Sequence, residues 1–148
     1  MFADMLAKRL IDSLYMEAML MADEVRAYFD ETGKPARNAL DPIDRVLFSC
    51  ESLKVTTRLM HIIAWLLTQR AVEAGEMSAD GARDSSRRLG DSIDTDRSTL
   101  GRLPDEARLL VEGSIDLHAR VARVEAGLEP MPHSSPARQL QGRLQQSF

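Results

Sequence analysis

The stretch between Pro42 and Gly75 contains no helix-breaking residue, and its apolar residues recur every three or four positions. This spacing is typical of an α-helix with an apolar face. Asp41 and Pro42 form a start signal, because an aspartate can accept hydrogen bonds from orphan amides and proline suits the first helical position. Gly75 is the stop signal. The sequence therefore predicts a helix over 42–74, roughly 48 Å long.

This predicted helix carries two apolar rows. One row is an unbroken series with spacings of three and four: Val46, Cys50, Leu53, Thr57, Met60, Ala64, Leu67 and Ala71. An adjoining row holds Phe48, Val55, Leu59, Ile62 and Leu66. A helix that is apolar over more than half of its circumference normally packs on two sides, so we expect this to be the central helix. Its predicted core residues are Leu59, Met60, Ile63 and Leu67.

Two consequences follow from the width of this apolar surface. Three helices in one subunit leave the central helix with more apolar circumference than two neighbours readily cover, which predicts a homodimer. Cys50 stands on an apolar row, so we expect a small buried side chain rather than a nucleophile.

Two further long helices flank the central one. No glycine or proline interrupts the chain before Gly33, and periodic apolar residues predict a first helix over about 4–30. Pro104 starts the last helix, with two carboxylates following it near the positive end of the helix dipole. Periodic apolar residues continue that helix to Leu128.

The remaining segments are short or rich in turn-forming residues. Ser78 is a candidate N-cap of a short helix to about Leu89, and residues 90–103 have the composition of a loop. Prolines and a Ser/Gln-rich end predict a mobile tail over 129–148 after a bundle domain of residues 1–128. We therefore predict an all-α fold: an antiparallel three-helix bundle with one short extra helix and a mobile C-terminal tail.

Charge and cysteine usage exclude several classes of protein. The net charge of −4 and the pI near 5.4 argue against a protein built mainly to bind nucleic acid. Charged residues interrupt the N-terminal apolar residues, unlike in a signal peptide, and the longest nearly apolar stretch, 59–67, is about half of what a bilayer requires. A single cysteine forms no internal disulfide. We expect a cytoplasmic protein with no membrane partner.

The sequence contains no recognisable set of catalytic or metal-binding residues. None of His61, His118 and His133 stands three residues after a glutamate, the spacing used by metal sites in helical bundles. No local signature of a serine or cysteine nucleophile occurs. We therefore predict no enzymatic activity, no catalytic residue, no metal and no cofactor.

A polar strip runs along the central helix and is the candidate partner-binding surface. It consists of Glu51, Lys54, Arg58, His61, Trp65 and Gln69. Tryptophan and arginine contribute disproportionately to interface energy, which favours a partner or dimer contact. The alternative is a solvated stripe whose tryptophan packs against a neighbouring element. The sequence leaves both interpretations open.

The segment Glu51–Ser78, ESLKVTTRLMHIIAWLLTQRAVEAGEMS, resembles the central helix and following turn of the RcdA family, regulators of CtrA degradation in alphaproteobacteria. SLYMEAML (13–20) and EVRAYFD (24–30) resemble that family's first helix, and the resemblance covers about residues 10–128. It implies a three-helix-bundle dimer that acts as an adaptor for the ClpXP protease. With a response-regulator adaptor, such a protein recruits cell-cycle substrates, including CtrA.

Two other functional classes stay open. A structural dimerisation module would bind no protease component. A DNA-associated transcription regulator would bind duplex DNA in a salt-dependent manner.

Overall fold

The computed structural model describes residues 2–128 and Leu144, and this part of the chain contains six α-helices and no strand. The three long helices are α1 (Phe2–Ala27), α3 (Pro42–Glu73) and α6 (Asp105–Leu128). The three short ones are α2 (Lys34–Asn38), α4 (Ala79–Ala82) and α5 (Arg97–Leu100). The predicted all-α class is confirmed. Apart from Leu144, the predicted tail over 129–148 lies outside the described residues.

The core lies between the three long helices, with α3 packed against both α1 and α6. Its buried apolar residues include Ile11, Leu14, Ala18 and Val25 of α1, Phe48, Val55, Leu59, Ile62 and Leu66 of α3, and Ala107, Leu110, Val111, Leu117 and Val121 of α6. The prediction that the helix starting at Pro42 is the central one is confirmed. No helix of the described chain is both long enough and apolar enough to cross a membrane.

The segment between α1 and α3 is more helical than predicted. A π-helical turn, Tyr28–Thr32, extends α1, and α2 follows where the sequence suggested a linker. Gly33 sits at the junction, and its amide donates to the Tyr28 carbonyl at 2.6 Å. A Cβ at this position would lie 2.7 Å from that oxygen and 2.9 Å from the Tyr28 ring, so no larger residue fits without a shift.

The segment between α3 and α6 is less helical near its start than predicted. Ser78 caps α4 as expected, accepting a hydrogen bond from the Gly81 amide at 3.0 Å. The helix predicted to continue to Leu89 is wrong, because α4 spans four residues and a 3₁₀ turn, Ser85–Arg87, follows it. The predicted loop over 90–103 contains α5, whose N-cap Asp96 accepts from the Ser98 amide.

Candidate partner-binding surface

The orientation of α3 decides which of its two apolar rows is available to a partner. The row of Phe48, Val55, Leu59, Ile62 and Leu66 faces the core, with each residue at most 3% exposed. The other row faces solvent. Val46 is 62% exposed, Leu53 69%, Met60 64% and Leu67 47%.

This orientation corrects part of the predicted core. Leu59 is buried as predicted, and Ile63 is partly buried. The core assignment of Met60 and Leu67 is wrong for the single subunit, since α1 and α6 cover only the other apolar row. Cys50 is also exposed rather than buried.

The predicted polar strip does not form one continuous surface. Glu51, Arg58 and Trp65 are buried, with exposed fractions of 2%, 1% and 3%. Lys54 and Gln69 are partly buried, and His61 is exposed. These six residues therefore do not form one exposed strip, and their role in partner binding stays a prediction.

Arg58 fastens the irregular segment in front of α5 to the bundle. We name residues 89–96 the strap. The guanidinium donates from Nε to Ser92 Oγ at 3.0 Å and from Nη2 to the Ile93 carbonyl and Thr95 Oγ1, both at 2.6 Å. Nη1 donates to Ser114 Oγ of α6 at 3.3 Å. One buried cation therefore joins α3, the strap and α6.

Glu51 supplies the negative charge beside this cation. Its Oε2 accepts from Thr95 Oγ1 at 2.7 Å, and its Oε1 accepts from Lys54 Nζ at 3.0 Å. Lys54 Nζ also donates to the Asp94 carbonyl at 3.0 Å. Burial lowers the pKa of Arg58, and the carboxylates of Glu51 and Asp94 oppose that shift. The first half of the predicted strip is thus a structural network.

Trp65 belongs to the interior at the other end of α3. Its indole lines a cavity of about 300 Å³ together with Ile11, Gln69, Ala82 and Leu128. Of the two interpretations offered by the sequence, the burial of Trp65 favours packing against neighbouring elements.

His118 lies on α6 where that helix faces the strap. It is 6% exposed, and its Nε2 has no hydrogen-bond partner among the described residues. Burial is the main cause that lowers its pKa, and the positive fields of Arg58 and His61 act in the same direction. The Gly90 carbonyl and Asp91 oppose them. No group of three or more His, Cys, Asp or Glu residues in the described chain is arranged to hold a metal ion.

A pH dependence of stability follows from the lowered pKa of His118. Below the usual histidine pKa of about 6.5, the unfolded chain binds a proton at His118 that the folded chain does not. The free energy of unfolding therefore decreases as the pH is lowered, until His118 of the folded chain is protonated as well. His118→Gln should flatten this fall when denaturation midpoints are compared from pH 8 to pH 5. The exposed His61→Gln removes only one of the smaller causes of this shift, so as the control it should keep most of the fall in stability. An unchanged profile in His118→Gln would refute the assignment.

The exposed apolar row of α3 is a candidate surface for a partner. We name it the seam: Ile43, Val46, Cys50, Leu53, Thr57, Met60, Ala64, Leu67 and Ala71. Nearly all of the seam, from Val46 onward, was visible in the sequence as a series with spacings of three and four, but the sequence pattern assigned it to the core. Most of its side chains are exposed, and Thr57 and Ala71 are partly buried. Large isolated apolar residues on a surface are common, whereas a continuous row of them marks an interaction site.

Two comparisons with known proteins find relatives of this chain. The model of the DUF1465 family, described as "protein of unknown function", matches residues 2–148. The crystal structure of RcdA from Caulobacter crescentus CB15 is similar with a TM-score of 0.65 and 30% sequence identity, covering 78% of this chain and 88% of that one. No curated protein matches. The chain therefore belongs to the DUF1465 family, the family that includes RcdA-like proteins.

Proposed function

We propose that this protein is a non-enzymatic adaptor that delivers protein substrates, CtrA among the candidates, to the ClpXP protease together with a response-regulator adaptor. Its similarity to RcdA supports this proposal. The observation that carries it is this similarity, at 30% sequence identity over 78% of this chain and 88% of RcdA. An adaptor acts by raising the effective concentration of a substrate at the enzyme, which requires docking surfaces rather than reactive groups. A cytoplasmic location is part of the proposal.

Reconstituted proteolysis tests the proposal. The full chain is added to ClpXP, a receiver-domain adaptor and CtrA, and the rate of CtrA loss is compared with the rate without it. We expect an accelerated rate and co-elution of the chain with at least one protease component. The proposal is wrong if the rate is unchanged and neither ClpX nor the receiver protein binds. Salt-dependent binding to duplex DNA would support a DNA-associated regulator instead.

We also propose that the protein is a homodimer and that the seam lies in the dimer interface. Light scattering at micromolar concentration should therefore give twice the mass of the chain. Leu53→Asp should shift the protein to a monomer without unfolding it, because Leu53 is 69% exposed in the single subunit. A charge buried in a paired seam would lack a partner and would favour dissociation.

The matched control for this prediction is Leu109→Asp. Leu109 is similarly exposed, at 63%, but lies on α6 away from the seam. The mass of the Leu109→Asp variant, measured by light scattering, should remain that of a dimer. A monomeric wild type, or a dimer that survives Leu53→Asp, would contradict the assignment of the interface to the seam.

A further inference from the structure

The seam has the spacing of a coiled coil. Steps of three and four alternate from Ile43 to Ala71, an average of 3.5 residues, which is the repeat that keeps one face of a helix against a partner helix. In heptad terms the d positions are Val46, Leu53, Met60 and Leu67, and the a positions are Ile43, Cys50, Thr57, Ala64 and Ala71. Every d side chain is large, and every a side chain after Ile43 is small.

This alternation of size distinguishes the two possible orientations of a helix pair. In a parallel pair, a faces a and d faces d in the partner, so two Leu53 side chains would meet in one layer and two Ala64 side chains in the next. Large residues at d suit a parallel dimer, but the a layers of two Cys50, Thr57, Ala64 or Ala71 side chains would be underpacked, which a densely packed interface does not tolerate. In an antiparallel pair a faces d, so each layer joins a large side chain to a small one.

We propose that two copies of this chain pair antiparallel along the seam, with the two-fold axis between Thr57 and Met60. The layers are then Ile43–Ala74, Val46–Ala71, Cys50–Leu67, Leu53–Ala64 and Thr57–Met60, each occurring twice. Every layer joins one large and one small residue, from the start of α3 to its C-cap. The inference rests on the homodimer proposed above and adds its orientation and register.

The neighbouring register fits less well. A shift by one heptad would place Ile43 against the partner's Leu67, which joins two large residues. It would also leave Ala71 beyond the start of the partner's α3. The register centred between Thr57 and Met60 therefore gives both the longest overlap and the most uniform layers.

Charge does not oppose the pairing. Neither the seam nor the positions that flank it as e and g of the heptad contain a carboxylate. The two cations among the flanking positions are held within their own subunit. Lys54 contacts Glu51, while Arg70 lies 3.5 Å from Asp12 and 4.3 Å from the centre of the Tyr15 ring.

The size of the contact also suits a dimer. The paired region is about 45 Å long and one helix diameter, about 10 Å, wide, or roughly 450 Å² of footprint on each copy. The two footprints together project to about 900 Å². The solvent-accessible area that they bury is larger than this projection, because accessible area follows the contour of each side chain. With the partly buried Leu47 and Ile63 at its edges, the contact approaches the roughly 1,200 Å² of the smaller stable interfaces.

Crosslinking through the single native cysteine tests the orientation. In the proposed register the two Cys50 residues lie about 25 Å apart along the helix, too far for the roughly 7 Å Cα separation that a disulfide allows. Cys50 of one copy instead faces Leu67 of the other. Leu67→Cys in the full chain should therefore give a crosslinked dimer on mild oxidation or with a short bis-maleimide, while the wild type should give none.

Two controls separate this pairing from the alternatives. Leu53→Cys, also exposed, should not crosslink, and Cys50→Ser combined with Leu67→Cys should lose the crosslink. A parallel dimer would crosslink in the wild type through Cys50 and overturn the proposal. A dimer that crosslinks in none of these variants uses another face or register, which also overturns it. Loss of the dimer is seen separately by light scattering, and loss of adaptor activity by the proteolysis assay.

Discussion

Arg58→Met should lower the free energy of unfolding by about 3–5 kcal/mol, because it leaves several buried acceptors without their donor, at about 1–3 kcal/mol each, and removes the cation beside the buried Glu51 carboxylate. Methionine keeps most of the volume of the side chain. Glu51 remains 2% exposed, and Thr95 and the Ile93 carbonyl lose their donors. The measurement is urea denaturation at one fixed protein concentration, so that association contributes equally to both proteins.

Two comparisons sharpen this prediction. Adding Glu51→Gln to Arg58→Met should recover part of the loss, because a neutral amide then replaces the buried carboxylate that has lost the neighbouring Arg58 cation. Arg83→Met removes an exposed pair with Asp80 and should change stability by less than about 1 kcal/mol. If Arg58→Met cost no more than Arg83→Met, the strap would not depend on the network.

Trp65→Ala should cost about 3–5 kcal/mol through lost burial and an enlarged cavity. The cavity of about 300 Å³ beside the indole means that no neighbour fills the space at once. Leu67→Ala, two residues later on the same helix, should cost less than about 1 kcal/mol, because its side chain faces solvent within the subunit. Both variants are best measured in the monomeric Leu53→Asp background, where dimer contacts do not contribute.

The Trp65→Ala variant also distinguishes a packing role from a recognition role. If Trp65→Ala left stability unchanged and weakened binding to a partner instead, the indole would be a recognition residue and the buried placement would be wrong. Stability and binding are measured on the same variant to separate the two roles.

The sequence was sufficient for the long helices because their limits depend on local signals. Pro42 starts α3 as predicted, and the helix ends next to Gly75. Short elements were harder, since α4 and α5 each depend on a single side-chain cap rather than on a periodic apolar face. The π-helical turn at Tyr28 likewise has no periodic signature.

The sequence could not reveal which apolar row of α3 faces inward. Both rows have helical spacing, so the spacing alone does not separate them, although the buried row carries the bulkier side chains, among them Phe48, Leu59 and Ile62. The inward face of α3 also carries the buried Arg58, whose strap partners lie 34 to 37 positions further along the chain. A buried arginine is stable only where hydrogen-bond acceptors from several segments surround its guanidinium, and a single sequence does not show which distant segments meet there.

The network around Arg58 also affects how readily a protease can cut this protein. Proteases cut native proteins where a segment detaches locally, and a glycine- and serine-containing stretch without regular structure is normally such a place. If the strap detached, Arg58 would lose the hydrogen-bond acceptors that the strap provides, and the bundle interior beside Arg58 would be exposed at the same time. Cleavage at this stretch therefore requires unfolding of the whole domain, and the strap should resist proteolysis as well as the core does.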